Sequence, residues 1–175
     1  QVAGSAISLR RVELTGPSSF LLGCTTDEKS SVMTAFQEAG ATLCESDAVE
    51  QARVEAGWPL YGRDISDANL PQEVGRNEQA ISFTKGCYLG QEIVARIDAL
   101  GHVNRTLVGL KFPAVEVPPA DMELTVDDKK VGQVTSAVFS PRLESPLALA
   151  YVRREHHAPG SMLTSKLGDA EIIKL

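Results

Sequence analysis

Several features are scarce or missing in this chain, and each absence removes a class of function. No window approaches the ~18 consecutive apolar residues of a membrane span, and the opening residues lack the pattern of a secretory leader. The basic residues form no run, and the net charge is −6. A duplex nucleic-acid binder, which needs a Lys/Arg footprint, is therefore disfavoured. The three cysteines, Cys24, Cys44 and Cys87, make an odd count without C-x-x-C spacing. That argues for free thiols in a reducing cytoplasm, and against a disulfide framework or a metal site held within this chain alone. No Ser/His/Asp order with an elbow, no Walker loop and no H-E-x-x-H occurs. His156–His157 is adjacent on the chain, so on a strand the two rings point to opposite faces, and a surface turn is expected.

What remains is an ordinary globular composition, 43% hydrophobic and 23% charged over 175 residues. A chain of this length buries roughly 70% of its unfolded surface without staples. Because "SAISLRRVELTG" already reads as folded sequence right after the first residues, the chain is expected to be a piece or processed product with further sequence upstream.

The first half alternates strand and helix patterns. "AISLRRVELTG" and "SFLLG" read as strands separated by Gly16-Pro17. Thr26 is placed to cap a helix from Asp27 to Ala39 that buries Val32, Phe36 and Ala39 and ends at Gly40. "ATLCE" reads as another strand, with Cys24 and Cys44 as core. Asp47 and Glu50 have capping-box spacing for a short helix through Glu55. From Gly57 to Phe83 periodicity is lost, which in a compact protein points to function or disorder. "GQEIVARIDALG" then sets Ile93, Val94, Ile97 and Leu100 on one helical face. "RTLVGLKF" reads as a strand and the proline-rich "PAVEVPPAD" as a boundary. Short strands with turn signals follow, the last pair hinged at Gly168-Asp169, and predict a small antiparallel barrel or sandwich.

The densest chemistry lies in "TKGCYLGQE", residues 84–92. Cys87 precedes a helix start whose N–H groups favour a thiolate, and Lys85 adds positive charge nearby. The competing reading makes Cys87 a small buried hydrophobe. Gln91 and Glu92 are read equally well as ordinary first-turn residues. In "RVEAGWPLYGRD", Glu55 and Tyr61 flank a Gly-Trp-Pro bend, a carboxylate and an aromatic suited to a flat heterocycle with amino and ring N–H donors. Glu55 facing solvent is the alternative.

These segments resemble the YgfZ-type folate-binding proteins, relatives of the glycine-cleavage aminomethyltransferase (T-protein). "KGCYLGQE" is similar to the signature of that family. "RVEAGWPLYGRDI" resembles a segment of both branches, "LPQEVG" their linker, and "GQVTSAVFSPRLESPLALAYV" a strand pair of their shared barrel. The resemblance implies an α+β fold, a ferredoxin-like folate-binding region (partial, 1–107) followed by a carboxy-terminal antiparallel β-barrel (108–175). It implies tetrahydrofolate or a derivative as cofactor, with Glu55 facing the pterin and Tyr61, Arg105 and Gln91 as further binding residues. Cys87 with Lys85 would be the working group. Iron–sulfur proteins or their assembly factors, and through them tRNA-modifying enzymes, would be the partners, without direct binding to duplex nucleic acid or membrane. Two alternatives stand beside iron–sulfur maintenance: a glycine-cleavage aminomethyltransferase and a non-catalytic scaffold module.

Overall fold

A computed structural model of the chain describes Val2, Gly4 and residues 6–113 and 115–175. The chain divides into two compact units, Gln1–Trp58 and Pro59–Leu175.

In the first unit, β1 (Ser8–Val12) pairs antiparallel with β2 (Ser19–Gly23), followed by helices α1 (Lys29–Glu38) and α2 (Ser46–Glu55). The start of α1 is organised by Thr25, not Thr26. Glu28, three residues on, accepts the Thr25 hydroxyl at 2.6 Å and its backbone N–H at 3.2 Å. The helix ends in a Schellman motif, Ala41 N–H to Phe36 O and Gly40 N–H to Gln37 O, with Gly40 at φ 94°. Of the three residues expected to be buried in α1 only Val32 is, while Phe36 is 40% exposed and borders an apolar groove with Leu22, Met33 and Leu43. "ATLCE" forms no strand, because among the described residues β1 and β2 pair only with each other and a strand needs a neighbour's ladder. Cys24 and Cys44 are exposed for the same reason: their apolar sequence neighbours meet no covering layer.

The capping box at Asp47 does not form either. Because α2 begins at Ser46, Glu50 lies beyond its first turn and grips Arg53 through Nε (2.8 Å) and Nη2 (2.6 Å). Arg53 is almost fully buried and donates from Nη1 to Trp58 O, which fixes the bend after the helix.

The second unit begins with an irregular stretch holding a 3₁₀ turn, Pro71–Val74, and the one-turn helix α3 (Asn77–Ala80). Helix α4 (Gln91–Leu100) follows, closed by Gly101 in the left-handed region. Of its expected buried face only Val94 is enclosed. Ile93 and Leu100 remain 55% and 61% exposed, since the helix is covered on one narrow side. A hydrogen bond from Gln72 Nε2 to Val94 O (3.0 Å) marks that side.

From Arg105 onward the chain is a closed antiparallel barrel ordered β3-β6-β5-β4-β7-β8. The strands are β3 (Arg105–Lys111), β4 (Glu123–Val126), β5 (Lys129–Ser140), β6 (Ser145–Arg153), β7 (Met162–Ser165) and β8 (Gly168–Ile173). Closure removes exposed edges, and the interior is filled by Leu110, Leu124, Val134, Ala148, Val152 and Ile172, among others. "PAVEVPPAD" is not a boundary, because β3 hydrogen-bonds to β6 and β8 and the segment is the β3–β4 connection. The tight turn of the last hairpin is Lys166-Leu167, flanked by the Ser165–Gly168 pair, two residues before the expected Gly168-Asp169.

Nearly every residue of β6 is buried on both faces. Its even-numbered residues fill the barrel, so Leu147, Leu149 and Tyr151 point outward and are covered there.

Candidate functional site

Two places in the second unit concentrate functional side chains. The first is the loop entering α4. Gly90 sits at φ 87°, a conformation that suits glycine, and turns the chain into the helix. Tyr88 N–H donates to the Gln91 side-chain carbonyl (3.0 Å), and Gln91 N–H donates back to Tyr88 O (3.2 Å). Lys85 N–H donates to Ser82 Oγ at 3.2 Å. These bonds hold an open groove of about 650 Å³ lined by Phe83, Lys85, Cys87, Tyr88, Gln91 and Glu92. Cys87 is exposed in it, so the buried-hydrophobe alternative fails. The Lys85 ammonium lies 4.4 Å from the centre of the Tyr88 ring, a cation–π contact that keeps its charge at the groove. Gln91 is tied to its own loop through its carbonyl.

The second place is a polar cluster where the 60–75 segment meets the barrel. A bulge in β5 leaves Thr135 outside the ladder register with β6, between the pairs Val134–Ala150 and Ser136–Leu149. Its hydroxyl donates to Asp64 Oδ1 at 2.5 Å, and Leu60 N–H donates to Asp64 Oδ2 at 2.9 Å. Asp64, only 3% exposed, thus fastens the Leu60–Ile65 turn to the barrel. Beside it, Arg105 Nε lies 3.2 Å from Glu73 Oε1, and the guanidinium is stacked 4.9 Å from the centre of the Tyr151 ring. The Glu73 side chain is 9% exposed, that of Arg105 44%. Burial first, then the carboxylates of Glu73 and Asp64, pushes the Tyr151 hydroxyl up to about 12 against the opposing pull of Arg105. That hydroxyl is enclosed and has no hydrogen-bond partner among the described residues.

The other candidates stand apart. Tyr61 is 66% exposed, and its hydroxyl donates to Asp67 Oδ1 at 2.8 Å; this bond raises its pKa. Glu55 is the last residue of α2, in the first unit, and half-buried. Among the described residues no three or more His, Cys, Asp or Glu side chains are grouped to hold a metal, and no helix is long and apolar enough to cross a membrane.

Asp64, Glu73, Thr135 and Tyr151 were not found from sequence. Asp64 and Glu73 lie inside the quoted "YGRDI" and "LPQEVG" but carry no spacing signal. Tyr151 hides in the apolar run "LALAYV", and only the barrel pairing brings it beside Arg105.

Comparison with known proteins gives this architecture a setting. Residues 105–173 match the glycine cleavage T-protein C-terminal barrel domain. The aminomethyltransferase of Streptomyces avermitilis is 35% identical over 91% of this chain and 45% of its own length. That of Symbiobacterium thermophilum is 35% identical over 87% of this chain and 42% of its own. The crystal structure of glycine cleavage system aminomethyltransferase T from Bartonella henselae superposes with a TM-score of 0.86, covering 97% of this chain and 49% of that one at 21% identity, a likeness of fold. The chain spans about half the length of the curated relatives it matches. It is related to the glycine-cleavage aminomethyltransferases and has the likeness of their carboxy-terminal barrel domain at residues 105–173.

Proposed function

We propose that the chain binds a reduced folate and serves one-carbon transfer of the aminomethyltransferase type. The observation that carries this reading is the 35% identity to an aminomethyltransferase over 91% of the chain, which favours it over iron–sulfur maintenance. Bound tetrahydrofolate is the substrate that accepts the carbon between N5 of its pterin ring and the N10 amine of its p-aminobenzoyl link. A methylene leaves a sulfur-bound aminomethyl group on a lipoylated carrier, ammonia is released and the carrier thiol is regenerated.

The donor set of the chain fits such a ligand. Arg105 holds a half-exposed guanidinium on a rigid support, and Tyr61 offers an exposed ring with its hydroxyl turned to Asp67. Glu55, in the first unit, carries a carboxylate of the kind that accepts from amino and ring N–H donors. The test is formation of methylene-tetrahydrofolate from aminomethylated lipoyl carrier and tetrahydrofolate, with calorimetric titration of the reduced folate alongside. Binding with turnover supports the reading, and absence of binding removes it.

A second reading rests on Cys87. An exposed thiol in a groove with Lys85, Tyr88 and Gln91 is suited to folate-linked support of iron–sulfur proteins. Binding without turnover, together with loss of cluster-enzyme activity in a deletion strain carrying Cys87→Ser, would favour it. If both readings fail and a partner is captured equally well by Cys87→Ala, the scaffold alternative is left.

A further inference from the structure

Arg105 is the first residue of β3, and Tyr151 faces Leu107 two residues further along the pair, so the tyrosine ring lies diagonally under the guanidinium. Glu73 comes from the 3₁₀ turn that Pro71 starts and Gly75 ends, the latter at φ 74°. Two separate elements, a barrel strand and the covering turn, thus fix one arginine from below and from the side.

The burial is graded. Glu73 and Tyr151 are enclosed, while the arginine head is half out. An exposed ion pair is worth little, but a carboxylate held away from water needs its partner, and the pair therefore stays together. The pair uses Nε, and among the described residues the other N–H donors of Arg105 have no protein acceptor. The Tyr151 hydroxyl stays protonated well above neutral pH, so the ring keeps the neutral face that a cation prefers.

We propose that Glu73 and Tyr151 are positioning residues that hold the Arg105 guanidinium toward an uncharged acceptor edge of the ligand, such as the lactam edge of a pterin. The Glu73–Arg105 pair carries no net charge, so it offers donors without the field that would draw a carboxylate. This inference rests on the folate reading above and deepens it.

The experiment is calorimetric titration of the full chain with three probes: reduced folate, a reduced pterin lacking the tail, and p-aminobenzoylglutamate. Arg105→Met and Glu73→Ala should each weaken folate and pterin binding about tenfold, a difference of about 1.4 kcal/mol. The double variant should be no worse than Arg105→Met alone, because Glu73 acts through the arginine. Glu73→Gln, which keeps an oxygen beside Nε without the charge, should recover most of the affinity. Tyr151→Phe should bind as wild type and Tyr151→Leu should not. Should Glu73→Ala fail to fold, the cycle of Tyr151→Leu with Arg105→Met carries the same test. Additive losses, wild-type affinity in Glu73→Ala, or losses confined to p-aminobenzoylglutamate would overturn the inference alone. A wild-type chain that binds no reduced folate overturns the inference together with the folate reading.

Discussion

Tyr151 carries an enclosed hydroxyl without a partner among the described residues, beside two carboxylates. Two effects follow. An unmade hydrogen bond costs on the order of 1–3 kcal/mol, so at pH 7 Tyr151→Phe should unfold at the same temperature as wild type or higher. A clear loss of stability would mean that the hydroxyl is satisfied. At high pH the sign is fixed by the raised pKa. The unfolded tyrosine releases its proton near 10.0, the folded one only near 12. Stability from this group is whole below pH 10 and is lost as pH rises toward 12. Glu73, Asp64 and Arg105 are the charged groups that act on the hydroxyl. Urea denaturation at pH 9 and 11.5 should show wild type losing more stability than Tyr151→Phe; equal losses would refute the burial argument.

Glu55 gives a second prediction at this scale. Removing a charged acceptor from a folate site should weaken binding by roughly 1.5–3 kcal/mol in Glu55→Ala. Unchanged affinity would remove Glu55 from the site. The local texture of sequence served single residues unevenly. It pointed to Cys87 as exposed chemistry, yet it also placed Cys24 and Cys44 in a core, and all three are exposed. An apolar neighbourhood along the chain does not say whether another element lies over it.

Among the elements, those closed by local chemistry were the most legible. The turn between β4 and β5 is such a case, with Asp127 and Asp128 at φ 49° and 59°, as a tight hairpin turn requires. The helix ends at Gly40 and Gly101 follow from the same left-handed preference. Bulges and pairing partners were not legible, since they depend on distant strands. Two glycines put this dependence to a test. A Cβ on Gly132 would lie 2.7 Å from the backbone oxygen of Tyr151, which cannot move without disturbing the β5–β6 ladder. On Gly109 it would meet only the Leu175 side chain, at 2.5 Å, and a side-chain end can turn aside where a ladder oxygen cannot. Gly132→Ala should cost about 1–3 kcal/mol and Gly109→Ala less, measured by thermal unfolding. The reverse order would show that the β5–β6 ladder yields where the Leu175 side chain does not.

For the molecule as a whole, the two units differ most in how much they enclose. In the first unit the buried hydrophobic residues among those described are Val32 and Val54, while Leu9, Phe20, Leu21 and Leu43 stay more than half exposed. The second unit holds the rest of the core, most of it inside the barrel. Burial of apolar surface is the main favourable term in folding, at about 25 cal/mol per Å². A unit with so little of it opens at a lower free energy than one with a closed core. Sequence patterning marked the strands and helices of the first unit without showing this difference, because periodicity tells which face is apolar and not whether anything covers it. Native-state amide exchange should therefore be graded by unit. The amides of β5 and β6, paired on both sides within the barrel, should exchange last and near the global unfolding limit. Those of β1, β2 and α1 should exchange far sooner, and their protection should rise little when the barrel is stabilised. If β1 and β2 exchange as slowly as β5 and β6, the chain unfolds as one cooperative body and the contrast in burial does not govern its stability.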